Sequence, residues 1–363
     1  MIPMIDRILR RNARLALLAL APAVALAACS DTDNLLPPTD PAVRLEVIVN
    51  STSNSLTIIS TDSVTPVART VNLGAQGSPV SVAARGAYAV VPLGTYPFAA
   101  VVDLRTATVT HTVALPAGSG ATGAAFLNDS IALVGNPELN SVSPVNVLRG
   151  TAGAPINVGV YPQALVAGGQ VVYVLNANLV NFSPAGPSSV SVIGQGRTVT
   201  ATIPLTGTNA SAGVVVGNTL LVVNSGHFGQ ADGSLSLVNT TTNAEFARPT
   251  GFGEFPGSVD FGPDGLVYVG VYSKGIITYN PNTGEFVRGL SQPLVPGGAP
   301  PVSALAFDYQ GRLHTLAPGN CAPGNPGKEY GLAAPYAAIG RTVTTGVCPF
   351  ALAFATLPVT PSN

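Results

Sequence analysis

The sequence predicts an all-β fold: a seven-bladed β-propeller of four-stranded antiparallel blades, closed by a C-terminal strand that completes the N-terminal blade. Three observations predict it. A unit of roughly 40 to 50 residues recurs along the chain, the spacing of propeller blades. Within each unit, short runs of branched residues are punctuated by Gly, Pro and Asn, the pattern of half-buried strands and tight turns. Finally, the first unit begins at a second strand and the last stops at an inner strand, so the two fragments complete one blade.

Taken in chain order, the first element is a leader. Asp6–Arg14 carries net positive charge, and the apolar run Leu15–Ala28 follows it. Fourteen residues are too few to cross a ~30 Å hydrocarbon core as a helix, and charge followed by a short apolar run marks a signal peptide. Leu26-Ala27-Ala28-Cys29 resembles the processing site of bacterial lipoproteins. The resemblance implies cleavage after residue 28, a diacylglyceryl group on the Cys29 thiol and attachment to a membrane outside the cytoplasm. Ser30, where Asp would signal inner-membrane retention, implies the outer membrane if the envelope has two. The plainer alternative is an ordinary secretory signal in which Cys29 is incidental. Residues 29–42, polar and Pro-rich, read as a tether that could reach about 40 Å from the lipid surface.

The propeller is expected over residues 43–358, with a tail at 359–363. Inner strands are expected at Pro79–Ala83, Gly123–Phe126, Pro162–Val166, Ala212–Val216, Gly257–Phe261, Val302–Phe307 and Pro349–Phe354. Second strands follow, as in Tyr173–Asn176 and Leu221–Asn224, with Leu45–Asn50 standing first and lacking a predecessor. Third strands alternate small polar and branched residues, as in Ser189–Ile193 and Ser234–Val238, and outer strands close the unit, as in Thr108–Val113 and Thr198–Pro204. Turns such as Gly262–Gly265 and Asp308–Gly311 supply the positive φ of tight hairpins. Pairing the last strand with the first blade joins a ring otherwise held by packing between neighbours.

These units resemble the YVTN or YncE-like propeller family. Residues 162–204 carry its pattern most closely: Pro162–Ala167, then Tyr173-Val174-Leu175-Asn176, then Ser189–Ile193 and Thr198–Pro204. The resemblance spans about residues 43–358 and implies the fold; as a repeat signature shared by many functions it implies no activity.

Two further thiols, Cys321 and Cys348, form an even pair in an exported chain and are expected to be a disulfide. Within the propeller unit both fall in loops on one face of the ring, so a bond between them is geometrically reasonable. The rival reading, free thiols or metal ligands, has no nearby His or Cys to support it.

Composition narrows the function. The 363 residues include only 9% charged side chains and 46% hydrophobic ones, enough for a large core. Removing residues 1–28 takes away Arg7, Arg10, Arg11, Arg14 and Asp6, leaving 12 basic and 16 acidic residues, a net charge of −4. The remaining cations are scattered singly, which argues against nucleic-acid binding. Trp is absent, which excludes the Trp-docking propellers of quinoprotein dehydrogenases, WD repeats and the Asp-box of sialidases.

Asp260 and Asp308, in or just after inner strands, are the channel candidates for a metal-dependent, lactonase-like hydrolase. Each also has a structural explanation, a bond to channel backbone or the opening of a turn. The three histidines fall in different units and show no zinc pattern; His111 and His314 lie in strands and His227 in a loop. Neither metal nor cofactor is therefore expected. The face carrying the longer loops holds Tyr96, Phe98, Tyr161, Phe182, His227, Phe228, Phe252 and Phe255. Aromatic residues are enriched where surfaces are buried on binding. The leading expectation is a monomeric, lipid-anchored scaffold that binds a protein or small molecule without catalysis. The alternatives are the hydrolase and a structural envelope protein.

Overall fold

The blades form because each unit supplies four short apolar segments whose side chains alternate between two neighbouring interfaces. The computed structural model describes residues 42–357, apart from residues 64, 299 and 300. The leader, Cys29, nearly all of the tether and the tail lie outside the described residues.

Seven antiparallel four-stranded sheets follow one another. Blade 2 is Ala83–Arg85, Tyr88–Pro92, Phe98–Asp103 and Thr108–Ala114, from the inner strand outward. Blade 3 is Ala124–Phe126, Ile131–Asn136 and Ser141–Asn146, with its outer strand broken into Thr151–Ala152 and Ile156–Asn157. Blades 4, 5, 6 and 7 begin at Pro162–Gly168, Ala210–Val216, Pro256–Phe261 and Ala304–Phe307. Pro349–Thr356 pairs antiparallel with Arg44–Asn50, so blade 1 is built from both ends of the described chain. Each inner strand contacts that of the next blade, and the seventh contacts the first.

One expected strand is displaced. Pro79–Val82 is not strand, and the inner strand of blade 2 starts at Ala83. The chain before Ala83 is held instead by Ser78 N donating to Leu93 O at 3.2 Å.

A repeated polar device lies inside four blades. Asn50, Asn136, Asn176 and Asn224 end their second strands fully buried. Each side-chain amide donates to two hydroxyls of the next strand: Ser55 and Thr57, Ser141 and Ser143, Ser189 and Ser191, Ser234 and Ser236. Thus the recurring Asn and the Ser-x-Ser pattern are one unit, a buried amide nitrogen whose hydrogens go to paired hydroxyls. Gly159 and Gly207 are required beside it, because a Cβ on either would collide with the amide of Asn176 or Asn224.

The core is divided into seven apolar clusters, one per blade interface. The interface between blades 7 and 1 is the poorest, with five buried members: Ile48, Ile59, Ala304, Leu316 and Val343. Polar and covalent links reinforce it. Cys321 and Cys348 are disulfide-bonded with Cα atoms 4.6 Å apart, and Ser303 Oγ donates to Pro349 O at 2.7 Å.

Candidate functional site

Antiparallel blades put two sets of loops at one end of the ring: those joining second to third strands, and those leading from an outer strand to the next inner strand. The sequence-predicted aromatic residues fall on or beside these loops, but they do different things. Tyr96 and Phe98 stack at 4.5 Å and pack over the core between blades 1 and 2. Phe252 is a correction. It is completely buried between blades 5 and 6, with Phe286 and Tyr279 at 5.0 and 5.6 Å. A ring so enclosed is core and is not available to a partner.

Two pairs do reach solvent. Tyr161 and Phe182 meet edge to face at 6.3 Å, and Phe228 and Phe255 do so at 5.9 Å. Phe182, Phe228 and Phe255 are 77%, 86% and 39% exposed. Beside the second pair, His227 Nδ1 lies 2.7 Å from Asp232 Oδ2, and Asp232 also accepts from the His227 amide, which anchors that loop.

Local backbone explains the placement of Tyr161 and Phe255. Each precedes an inner strand, has a left-handed φ of 56°, and is followed by a register shift in the ladder, as are Asn209 and Cys348. This bulge bends the chain where it enters the strand; the rings of Tyr161 and Phe255 reach the loop face there, while Asn209 and Cys348 stay buried. For a bulky aromatic the conformation is costly, and such outliers concentrate at functional sites.

The pair Tyr161–Phe182 borders a groove of about 330 Å³. Pro137, Glu138 and Asn140 form its blade 3 wall, while Val160, Val180 and Asn181 contribute apolar and amide surface beside the rings. Hydrogen bonds tie the walls together. Asn140 Oδ1 accepts from Tyr161 N at 2.9 Å, Ala177 N donates to Tyr161 O at 2.9 Å, and Asn178 N donates to Val160 O at 3.0 Å. Burial, and secondarily the Glu138 carboxylate, pushes the Tyr161 hydroxyl above its ordinary pKa. The non-aromatic lining went unseen in the sequence because it comes from three separate loops with no common motif.

The channel aspartates have structural partners. Asp260 accepts from Phe261 N at 2.8 Å and from Phe307 N at 2.7 Å, linking the inner strands of blades 6 and 7. Burial raises its pKa above the ordinary carboxylate range despite those donors. Asp308 opens the expected turn, accepting from the amides of Gln310 and Arg312. Its other oxygen receives Arg312 Nε at 2.7 Å and lies 3.2 Å from His314 Nε2. Burial works against its charge, but these bonds outweigh burial and hold its pKa well below the usual range.

His314 leads into a cluster that sequence reading missed. Its Nδ1 lies 2.9 Å from Glu329 Oε1 and 3.1 Å from Glu46 Oε2, and all three residues are buried. Burial disfavours the imidazolium, yet Glu46, Asp308 and Glu329 lift its pKa to about 10. Burial raises that of Glu46. Three ligand-type atoms of Glu46, His314 and Glu329 lie within 4.8 Å of one another, but Arg341 already supplies the cation. Its guanidinium donates to Glu46 Oε2 at 2.7 Å and to Glu329 Oε1 at 3.0 Å. This is an ion network bridging blades 7 and 1. Its available signal was charge inside apolar strands, at Leu45-Glu46-Val47 and Leu313-His314-Thr315.

Fold and site together define a closed seven-bladed propeller with aromatic loops at one end. No protein-family model matches the chain, and no curated protein does. Among solved structures, hydrazine synthase of Kuenenia stuttgartiensis is similar, at a TM-score of 0.59 and 18% identity over 71% of this chain and 77% of that one. At that identity the likeness is one of fold.

Proposed function

We propose that this chain is a lipid-anchored, extracytoplasmic propeller of the YVTN or YncE-like kind that serves as a non-catalytic binding scaffold at the cell envelope. The observation carrying the binding role is the exposure of two aromatic pairs, Tyr161–Phe182 and Phe228–Phe255, on one face of a closed ring. Exposed phenyl rings cost solvation that a partner recovers on contact. The Cys321–Cys348 bond supports an oxidising location, and Leu26–Cys29 supports the anchor.

Two measurements test this reading. Phe182→Ala and Phe228→Ala together should abolish cross-links that the wild-type chain makes to envelope components, and an unchanged cross-linking pattern would overturn the choice of face. Cys29→Ser should prevent incorporation of labelled fatty acid and release the protein from the membrane fraction. Full incorporation in that variant would overturn the anchor.

A further inference from the structure

We propose that the groove between blades 3 and 4 binds a small, soluble quaternary ammonium compound, with Tyr161 and Phe182 as its walls and Glu138 as its counter-charge. This inference rests on the binding role proposed for the loop face and gives that role a ligand class.

The ring planes of Tyr161 and Phe182 stand at 82° to one another. A methylated ammonium in the corner between them meets π-surface on two sides, and cations within ~6 Å of a ring centroid are attracted by its quadrupole. Glu138 is the sole charged residue lining the groove, and among the described residues it has no ion-pair partner. The charge complementarity therefore favours a cation. Beside the amides of Asn140 and Asn181, the two rings and the exposed Val160 and Val180 favour a cation clothed in methyl groups over a strongly hydrated one. A volume of about 330 Å³ lies at the low end of the ~300–1,000 Å³ usual for small-molecule sites, which points to a free metabolite-sized ligand.

Backbone geometry adds an independent observation. Asn140, Tyr161, Asn181 and Phe182, all lining this groove, adopt left-handed φ between 48° and 61°. Asn accepts that conformation readily, whereas the two aromatic residues are strained in it. The Tyr161 amide donates to Asn140 Oδ1, and the blade 4 loop donates to Tyr161 O and Val160 O, which holds the strained backbone at Tyr161 in place. The Tyr161 ring is thereby presented from an anchored backbone, which lowers the entropy lost on binding.

The test is a titration of the full chain with choline, read by saturation-transfer NMR on the methyl protons. Its neutral isostere 3,3-dimethylbutanol and phosphatidylcholine vesicles serve as parallel arms. Choline should bind, the isostere should bind more weakly, and vesicles should not retain Phe182→Ala and wild type differently. Phe182→Ala should weaken choline binding roughly three- to thirty-fold. Glu138→Gln should weaken it about two- to five-fold, an effect lost at high salt, while Phe246→Ala, an exposed ring on the outer strand of blade 5, leaves it unchanged. Equal affinity for the isostere, undiminished binding in Phe182→Ala, or vesicle binding without choline binding would overturn the proposal. Failure of choline to bind wild type would also overturn it. The scaffold reading would survive that result if Phe182→Ala with Phe228→Ala still abolished envelope cross-links, and would fall with it otherwise.

Discussion

The pH dependence of stability isolates the network that closes the ring. His314 has an ordinary pKa of 6.5 when unfolded and about 10 when folded. A pKa raised by folding contributes stability that is fully present below 6.5 and is lost as pH rises through about 10. At ~1.4 kcal/mol per pH unit, the gap is on the order of 5 kcal/mol. Glu46 acts in the same direction, since its raised pKa means that ionising it costs more in the folded ring than in the open chain. Asp308 acts at the other end. Its depressed pKa gives stability present above the unfolded value and lost as pH falls below about 4. Stability should therefore be greatest near pH 4 to 5, below the range in which Glu46 ionises in the open chain, and decline toward pH 10 with the His314 contribution lost above 6.5. Urea unfolding at pH 6, 8 and 9.5, followed by far-ultraviolet circular dichroism, measures the decline. His314→Gln should lower stability at pH 6 by about 3–5 kcal/mol, because it removes a buried cation shared by Glu46, Asp308 and Glu329, and should flatten the slope above pH 6.5. A variant whose slope matched the wild type would refute the assignment of the titration to His314.

Three other outcomes follow from the same interfaces. Reducing Cys321–Cys348, which are separated by 27 residues, should lower stability by about 3.5 kcal/mol in the chain-entropy account, seen as a lower thermal midpoint in dithiothreitol. Asn224→Ala should cost about 1–3 kcal/mol by leaving Ser234 and Ser236 without their buried donor, measured by chemical denaturation. Phe252→Ala should cost about 3–5 kcal/mol and Phe228→Ala less than about 0.5 kcal/mol, a contrast between a buried ring and an exposed one that thermal unfolding resolves directly.

Most of the blade pattern was legible because it is local. A strand, its turn and the next strand lie within about two dozen residues, so Tyr173–Asn176 or Ser234–Val238 announces itself by alternation alone. The closure was legible for a different reason: two incomplete units, one at each end of the propeller, have a single complementary solution. Reading the aromatic loops was harder. Phe252 and Phe255 are three residues apart in a Gly-rich loop, yet one is wholly buried and the other 39% exposed. The left-handed turn at Phe255 separates them, and no composition rule reports which side of such a turn a ring takes.

Charge misled for a physical reason. An isolated Glu or Arg in a sequence is ordinarily read as solvated, because burying it alone is prohibitive. Glu46 and Arg341 offset that penalty through one another, with His314 and Glu329 beside them, and the two are 295 residues apart. Glu329 and His314 come from neighbouring strands of blade 7, and neither meets Glu46 until the C-terminal strand has paired with blade 1. Each charge is thus explained by ring closure rather than by its own neighbourhood. The same dependence accounts for the weak apolar cluster at this interface. Where six interfaces rely on branched side chains, the seventh joins the two ends of the propeller through ions, hydrogen bonds and a disulfide. Those contacts have specific partners, whereas apolar packing between similar blades does not distinguish one neighbour from another. A last strand that could pack against any blade is thereby given contacts that only the first can complete.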